Sequence, residues 1–263
     1  MQYCRFETEH GPQYGEVAVR GGELWVERIL TPPSEDSFLK PYTGSFTPCA
    51  LRDVSLLAPV TPSKIVCIGR NYRDHAAELG NDVPAEPLIF LKPPSAILAP
   101  GATIRIPAIS KRVDFEGELG VVIGRTCHKL RPDEDVRSYI RGYTIVNDVT
   151  ARDLQKSDGQ WSRGKGFDTF CPVGPIVTDA IDPEAGVQVT TRLNGAIQQH
   201  GSTMDFIFPI AVLLRHISAA MTLFPGDLIP TGTPAGVGPM QPGDRVEVTI
   251  DGIGTLANPV DME

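Results

Sequence analysis

Val113-Asp-Phe-Glu-Gly-Glu-Leu-Gly-Val-Val-Ile123 is the stretch on which the reading of this chain turns. Its alternation and its β-branched tail predict one long strand over 113–123. Side chains alternate along a strand, so Asp114, Glu116 and Glu118 share one face while Phe115 and Leu119 share the other. Backbone rise sets Glu116 and Glu118 about 6.6–7 Å apart, near enough for both carboxylates to converge on one ion. Adjacent acids repel, and a strand running into Leu-Gly-Val-Val-Ile is mostly interior, so a cation is expected to offset them. The competing reading is a solvated strand face.

A third acid of the right type, Asp148, ends the apolar strand expected over 142–149. Three carboxylates with no Cys or His among them suit a hard, oxygen-loving cation, Mg²⁺ or Mn²⁺ before zinc. Taken alone, Asp148 reads equally well as the N-cap of a helical segment over 150–157. Arg152 and Gln155 follow it at four and seven residues, a spacing that puts them on its face of a helix. Upstream, Gly69-Arg-Asn-Tyr-Arg-Asp-His-Ala-Ala-Glu78 predicts a short helix over 71–79, stopped by Gly80 and by Asn81-Asp-Val-Pro84. His75 and Glu78 lie one turn apart on it, and a carboxylate beside an imidazole makes a competent general base. A lone H-x-x-E is as readily an incidental surface pair, and it is not the zinc-binding H-E-x-x-H. Lys165, in Arg163-Gly-Lys-Gly166, reads as an ammonium on a flexible turn, able to sit over an oxyanion.

The glycine-rich stretch Pro230-Thr-Gly-Thr-Pro-Ala-Gly-Val-Gly238 lacks both the P-loop lysine and the G-x-G-x-x-G spacing, which removes nucleotide binding. It still offers backbone N–H groups and the Thr233 hydroxyl to a carboxylate. No G-x-S-x-G is present, so the usual serine-hydrolase signature is absent.

The remaining pattern is rich in turns. With 263 residues, 26 glycines and 24 prolines spread throughout, the chain favours short strands over a helix bundle. Hairpins are expected over 14–19 and 23–29, over 187–193 and 196–200 around Asn194-Gly195, and over 245–250 and 254–258. Helices are expected over 132–139 and 208–221. Strands outnumber helices without alternating with them, so the fold class is α+β, not a doubly wound sheet. A Pro/Ser/Thr-rich passage ending near residue 62 divides a small β-rich N-terminal domain (1–62) from a larger domain (63–263) that holds all the candidate site residues. The formal net charge of −8 disfavours a nucleic-acid surface. The longest apolar runs fall short of a membrane span, and the acidic start is unlike a signal peptide. Cys4, Cys49, Cys67, Cys127 and Cys171 are scattered and odd in number, which reads as free thiols in a reducing compartment, so a cytoplasmic protein is expected.

Taken together, five segments resemble the fumarylacetoacetate hydrolase family. They are Ile68-Gly-Arg-Asn-Tyr72 with His75-x-x-Glu78, Asp114-Phe-Glu-Gly-Glu-Leu-Gly120, Asn147-Asp-Val-Thr-Ala-Arg-Asp153, Lys165-Gly-Phe-Asp168, and Thr231-Gly-Thr-Pro-x-Gly-Val-Gly238. They stand in the family's order across about residues 63–260, on the branch of acylpyruvases and 2-hydroxyhepta-2,4-diene-1,7-dioate isomerases. The resemblance implies a fumarylacetoacetase-like mixed β-sandwich roll with a small N-terminal β domain, usually as a homodimer. It implies Mg²⁺ or Mn²⁺ on Glu116, Glu118 and Asp148, and His75 and Glu78 on a lid helix. It gives Lys165 a catalytic role and assigns substrate oxygens to Arg152, Gln155 and Thr233.

The expected substrate is a 2-oxo acid that chelates the metal, so that a metal-bound enolate forms. Hydrolysis of an acylpyruvate C–C bond is the first expectation, with His75 deprotonating water. The alternative is a lyase or isomerase on the same site: oxaloacetate decarboxylation, 2-hydroxyhepta-2,4-diene-1,7-dioate isomerisation or 5-carboxymethyl-2-oxo-hex-3-ene-1,7-dioate decarboxylation. A third is a binding protein without turnover. The distal pocket is expected from the lid, the N-terminal unit and the 159–170 loop; Arg70 and Arg73 near the lid read either as partners for a second carboxylate or as ordinary surface arginines.

Overall fold

The computed structural model describes residues 1–37, 39–78, 80 and 82–263. Gly117–Ile123 is the spine of the molecule. It is buried from end to end, with Leu119, Val121 and Ile123 on one face and Val122 on the other, each in a different core cluster. A strand buried on both faces reads as a continuous apolar run, which explains its Leu-Gly-Val-Val-Ile sequence. It pairs antiparallel with Ile140–Asn147 and with Leu228–Pro230. The large sheet continues through Cys171–Thr178 to Gln2–Phe6, Gln13–Arg20 and Glu23–Leu30 on one side. On the other side it continues through Ile65–Gly69 to Leu88–Lys92. Residues 1–62 therefore extend the central sheet through the Gln2–Phe6 to Cys171–Thr178 pairing.

A second, five-stranded sheet runs in the order Ala196–Ser202, Gln188–Leu193, Arg245–Ile250, Gly254–Met262 and Ile104–Ile106. Its Val189, Val248, Ile250 and Leu256 share one core with Leu119, Val121 and Ile123, and with Leu213, Leu214 and Ile217 of the helix Ile210–Ala220. Two large mixed sheets, a further three-stranded sheet and one long helix make an α+β fold, as expected. The Asn194-Gly195 turn has both residues at positive φ, 52° and 83°, the type I′ geometry that suits a tight hairpin.

Three expectations change. The strand over 113–123 breaks at Glu116: Val113–Phe115 leaves the large sheet to pair with Thr150–Ala151 and Gly238–Pro239, and Gly117–Ile123 follows as a separate strand. The helix over 132–139 shrinks to a 3₁₀ turn, Val136–Tyr139, capped by Asp135. Its would-be first-turn carbonyls, Pro132 and Glu134, accept from Arg215 on the long helix instead. Lys165 stands on a short helix, Ser162–Lys165, and is buried, so it is not a mobile turn residue. The helix expected over 71–79 is found as Arg73–Glu78; Leu79 and Asn81 lie outside the described residues.

Candidate metal centre and active site

The break at Glu116 builds the site. Where the strand leaves one sheet for another, the Glu116 N–H donates to the Asn147 side-chain oxygen at 2.9 Å, and the Asp148 N–H donates to the Glu116 carbonyl at 2.8 Å. These bonds seat the end of Ile140–Asn147 against the kink. Glu116, Glu118 and Asp148 are all buried, and each contributes a carboxylate oxygen to a cluster whose members lie within 4.8 Å of one another. The solvated-face reading of the acids is therefore excluded. Asp148 does not cap the following helix: Arg152–Asp158 starts after Ala151, with no side-chain cap.

The charges around the cluster are arranged unequally. Lys165 Nζ donates to Glu116 Oε2 at 2.8 Å and to Asp148 Oδ2 at 2.5 Å. Lys92 Nζ, fully buried, donates to Asp148 Oδ1 at 2.5 Å and to the Val149 carbonyl at 3.0 Å. Arg152 donates to Glu116, to Asp114 at 3.0 Å and to Gln155 at 2.8 Å, so each of its nitrogens is engaged and it orients its neighbours. Among the described residues Glu118 receives only the Gly232 N–H, at 2.8 Å. Burial pushes the Glu118 carboxyl well above the ordinary range, and Asp148 and Glu116 push the same way. Burial also opposes the charge on Glu116, but the Lys165 ammonium and then the Arg152 guanidinium overcome it and hold that carboxyl well below its usual value. Lys165 itself is disfavoured by burial, yet Asp148 and Glu116 more than offset this and keep it protonated.

Three buried carboxylates, one of them poorly compensated, fit a hard divalent cation; Glu116, Glu118 and Asp148 are the residues that would hold it. An ion there would favour the ionised form of Glu118.

Above the carboxylates lies a cavity of about 400 Å³ lined by Arg70, His75, Phe90, Gln155, Trp161, Lys165 and Thr233 among others, with the three acids at its floor. His75 is buried on the short helix, its Nδ1 3.3 Å from Glu78 Oε2. The Glu78 carboxylate accepts from the Gly236 N–H, at 3.1 Å to Oε1 and 3.2 Å to Oε2, which ties this helix to the glycine-rich loop. All the sequence-derived candidates except Glu78 thus border one cavity, and Glu78 touches it through His75. No residue of 1–62 lines this cavity among the described residues, contrary to the expectation that the N-terminal unit would. Arg70 and Trp161 do line it, while Arg73 does not.

Lys92 was not anticipated. It ends the strand Leu88–Lys92, and its only sequence signal is a lysine closing an apolar run just before Pro93 and Pro94. Gln199, discussed below, carried no signal at all.

Comparisons with known proteins identify the family. A model of the fumarylacetoacetate hydrolase C-terminal domain matches residues 64–261. Protein Rv2993c of Mycobacterium tuberculosis is 56% identical over 266 residues, covering 99% of this chain and 98% of that protein. The oxaloacetate tautomerase YisK of Bacillus subtilis is 44% identical over 231 residues, covering 82% of this chain and 76% of that one. Among solved structures, the 2-hydroxyhepta-2,4-diene-1,7-dioate isomerase from Mycobacterium marinum superposes with a TM-score of 0.87 at 46% identity, covering 100% of this chain and 99% of that one.

Proposed function

The chain belongs to the fumarylacetoacetate hydrolase family, and on that footing we propose that it is a metal-dependent keto–enol tautomerase of a four-carbon 2-oxo dicarboxylate, oxaloacetate being the simplest such compound. The observation that carries the substrate class is a pair of uncommitted cations. Half-buried Arg70 and exposed Lys156 line the cavity, and neither has a carboxylate partner among the described residues. Every carboxylate of the floor already has a cation or an N–H beside it, so these two are left for an anionic group on the substrate.

Arg70 is held for this task at some cost. It sits at φ 57°, in the left-handed region that side chains other than glycine rarely adopt, between strand Ile65–Gly69 and buried Asn71. Its guanidinium lies over the Trp161 ring, 6.0 Å from the centroid. Trp161 can approach because residue 69 is glycine: a Cβ there would come within 2.8 Å of the indole.

A divalent cation on the three carboxylates would supply Lewis acidity to the substrate's carboxylate and 2-oxygen. The protein's own groups do the rest. Lys165 stays protonated and keeps positive charge beside the oxygen on which the enolate charge develops. His75, oriented by Glu78, takes the proton from C3 or returns it. One C–H bond breaks as one O–H bond forms, and neither water nor an oxidant is consumed.

Hydrolysis, the first expectation from sequence, is less well supported. Of the three relatives named above, the two whose names state an activity are a tautomerase and an isomerase, both of which relocate protons. The His75–Glu78 pair serves either chemistry.

The proposal is tested with Arg70→Asn, which removes the charge while tolerating the backbone conformation. Exchange of the C3 hydrogens for deuterium should fall roughly ten- to a hundred-fold in kcat/KM with oxaloacetate, the weight of a charge-assisted hydrogen bond. Exchange with 2-oxobutanoate, which lacks the second carboxylate, should hardly change. Equal losses on both substrates would contradict the dicarboxylate reading.

A further inference from the structure

Gln199 stands in Ala196–Ser202, in the five-stranded sheet and outside every motif of the site, yet it is fully buried against the site's underside. Its carboxamide makes three bonds. Oε1 accepts from the Gly117 N–H at 3.0 Å; Nε2 donates to the Pro234 carbonyl at 2.7 Å and to Thr233 Oγ1 at 2.8 Å. Gly117 lies between the acids Glu116 and Glu118, and Thr233 lines the cavity. One side chain therefore ties the glycine-rich loop to the acid-bearing strand.

The amide cannot be turned over. Gly117 N–H only donates and the Pro234 carbonyl only accepts, so a flipped carboxamide would set N–H against N–H and oxygen against oxygen in a buried site. An N–H must consequently face the Thr233 oxygen. With one lone pair so occupied, the single Thr233 proton has to leave in another direction. In this geometry it goes to the Gly117 carbonyl at 2.9 Å, so a substrate oxygen that reaches Thr233 from the cavity has to take the proton from that carbonyl. A hydroxyl that receives one hydrogen bond is also a stronger donor of its own.

We propose that Gln199 is a positioning residue for the substrate site: it holds Thr233, and the loop that carries it, at the level of the two glutamates, so that Thr233 meets the substrate at a fixed place. The inference rests on Thr233 contacting substrate, and it adds the group that fixes where that contact is made.

A double-mutant cycle on the Mn²⁺-loaded protein separates this role from a merely structural one, with oxalate as a planar mimic of a 2-oxo acid enolate. Calorimetry should find oxalate binding weakened roughly ten-fold in Gln199→Met and in Thr233→Val. The double variant should be no weaker than the weaker single variant, because both changes remove one interaction. Mn²⁺ affinity should stay within about two-fold throughout, a readout that a general collapse of the site would move. Losses that multiply in the double variant, or undiminished oxalate affinity in Gln199→Met, overturn the proposal. Undiminished affinity in Thr233→Val overturns the Thr233 contact itself, which is a separate and recognisable result. Should Gln199→Met not fold, the isosteric Gln199→Glu is used: it keeps the acceptor for Gly117 and loses the donors, and the same coupling with Thr233→Val is expected.

Discussion

Lys92 and Asp148 are buried as a pair, with almost no exposed surface on either side chain. Lys92→Met would leave the buried Asp148 carboxylate to the Lys165 ammonium, a partial loss of its compensation. It should therefore lower the stability of the metal-free protein by about 2 kcal/mol in urea denaturation. A loss below about 0.5 kcal/mol would mean that Asp148 is satisfied without it. At this scale the sequence was informative where residue type and spacing restrict chemistry: Glu116, Glu118 and Asp148 do meet. It was silent on Lys92 and Gln199. A lysine at a strand end and a glutamine on a hairpin strand are ordinary surface residues until tertiary packing buries them, and nothing local records that packing.

Among the elements, the short helix Arg73–Glu78 and the loop around Gly236 form one mechanical unit, joined by the Glu78 carboxylate and the Gly236 N–H. Gly236 has φ 100°, and a Cβ on it would fall 2.0 Å from the Gln198 carbonyl oxygen, so the backbone itself must move to admit any side chain. Gly236→Ala should then free Glu78. Hydrogen exchange should quicken across Arg73–Glu78 while Gly117–Ile123 keeps its protection; unchanged exchange in the helix would show that this contact does not hold it.

Element boundaries were legible where local chemistry decides them, as at Asn194-Gly195. They were misread where a neighbour decides. Alternation runs unbroken through Glu116, and only the separate partners of the two halves reveal the kink. Residues 132–139 have the acids and the proline of a helix start, but Arg215 takes the carbonyls that a helix would use.

For the whole molecule, the central sheet carries residues 1–62 and the site-bearing strands together, and the cores beneath it hold several cysteines whose thiols are raised by burial. Burial lifts Cys4 and Cys171 from an ordinary 9.0 to about 12, and Cys127 to about 11. Each is neutral in the folded protein and ionises more readily when unfolded. Unfolding thus releases protons above pH 9, and the associated stability, complete below that value, is lost progressively as pH rises toward about 12. The melting temperature should fall steadily over that window in the native protein. It should fall less in Cys171→Ala than in wild type, once the two are compared relative to their own values at neutral pH.

No helix among the described residues is long and apolar enough to cross a membrane. The α+β class followed from turn density and from strands that outnumber helices without alternating with them, and the mixed-sheet architecture from the resemblance that the five motifs carry. How residues 1–62 meet the rest did not, because sheet continuation is a long-range pairing with no local signature.

Proton magnetic resonance on oxaloacetate and acetylpyruvate, side by side with Mg²⁺ and with a chelator, tests the central claim most directly. The account predicts faster interconversion of the keto and enol forms of oxaloacetate with the carbon skeleton intact, abolished by the chelator and by Glu118→Gln, and no cleavage of acetylpyruvate. Acetate and pyruvate from acetylpyruvate, with oxaloacetate interconverting only at its background rate, would contradict it and make the site a hydrolase.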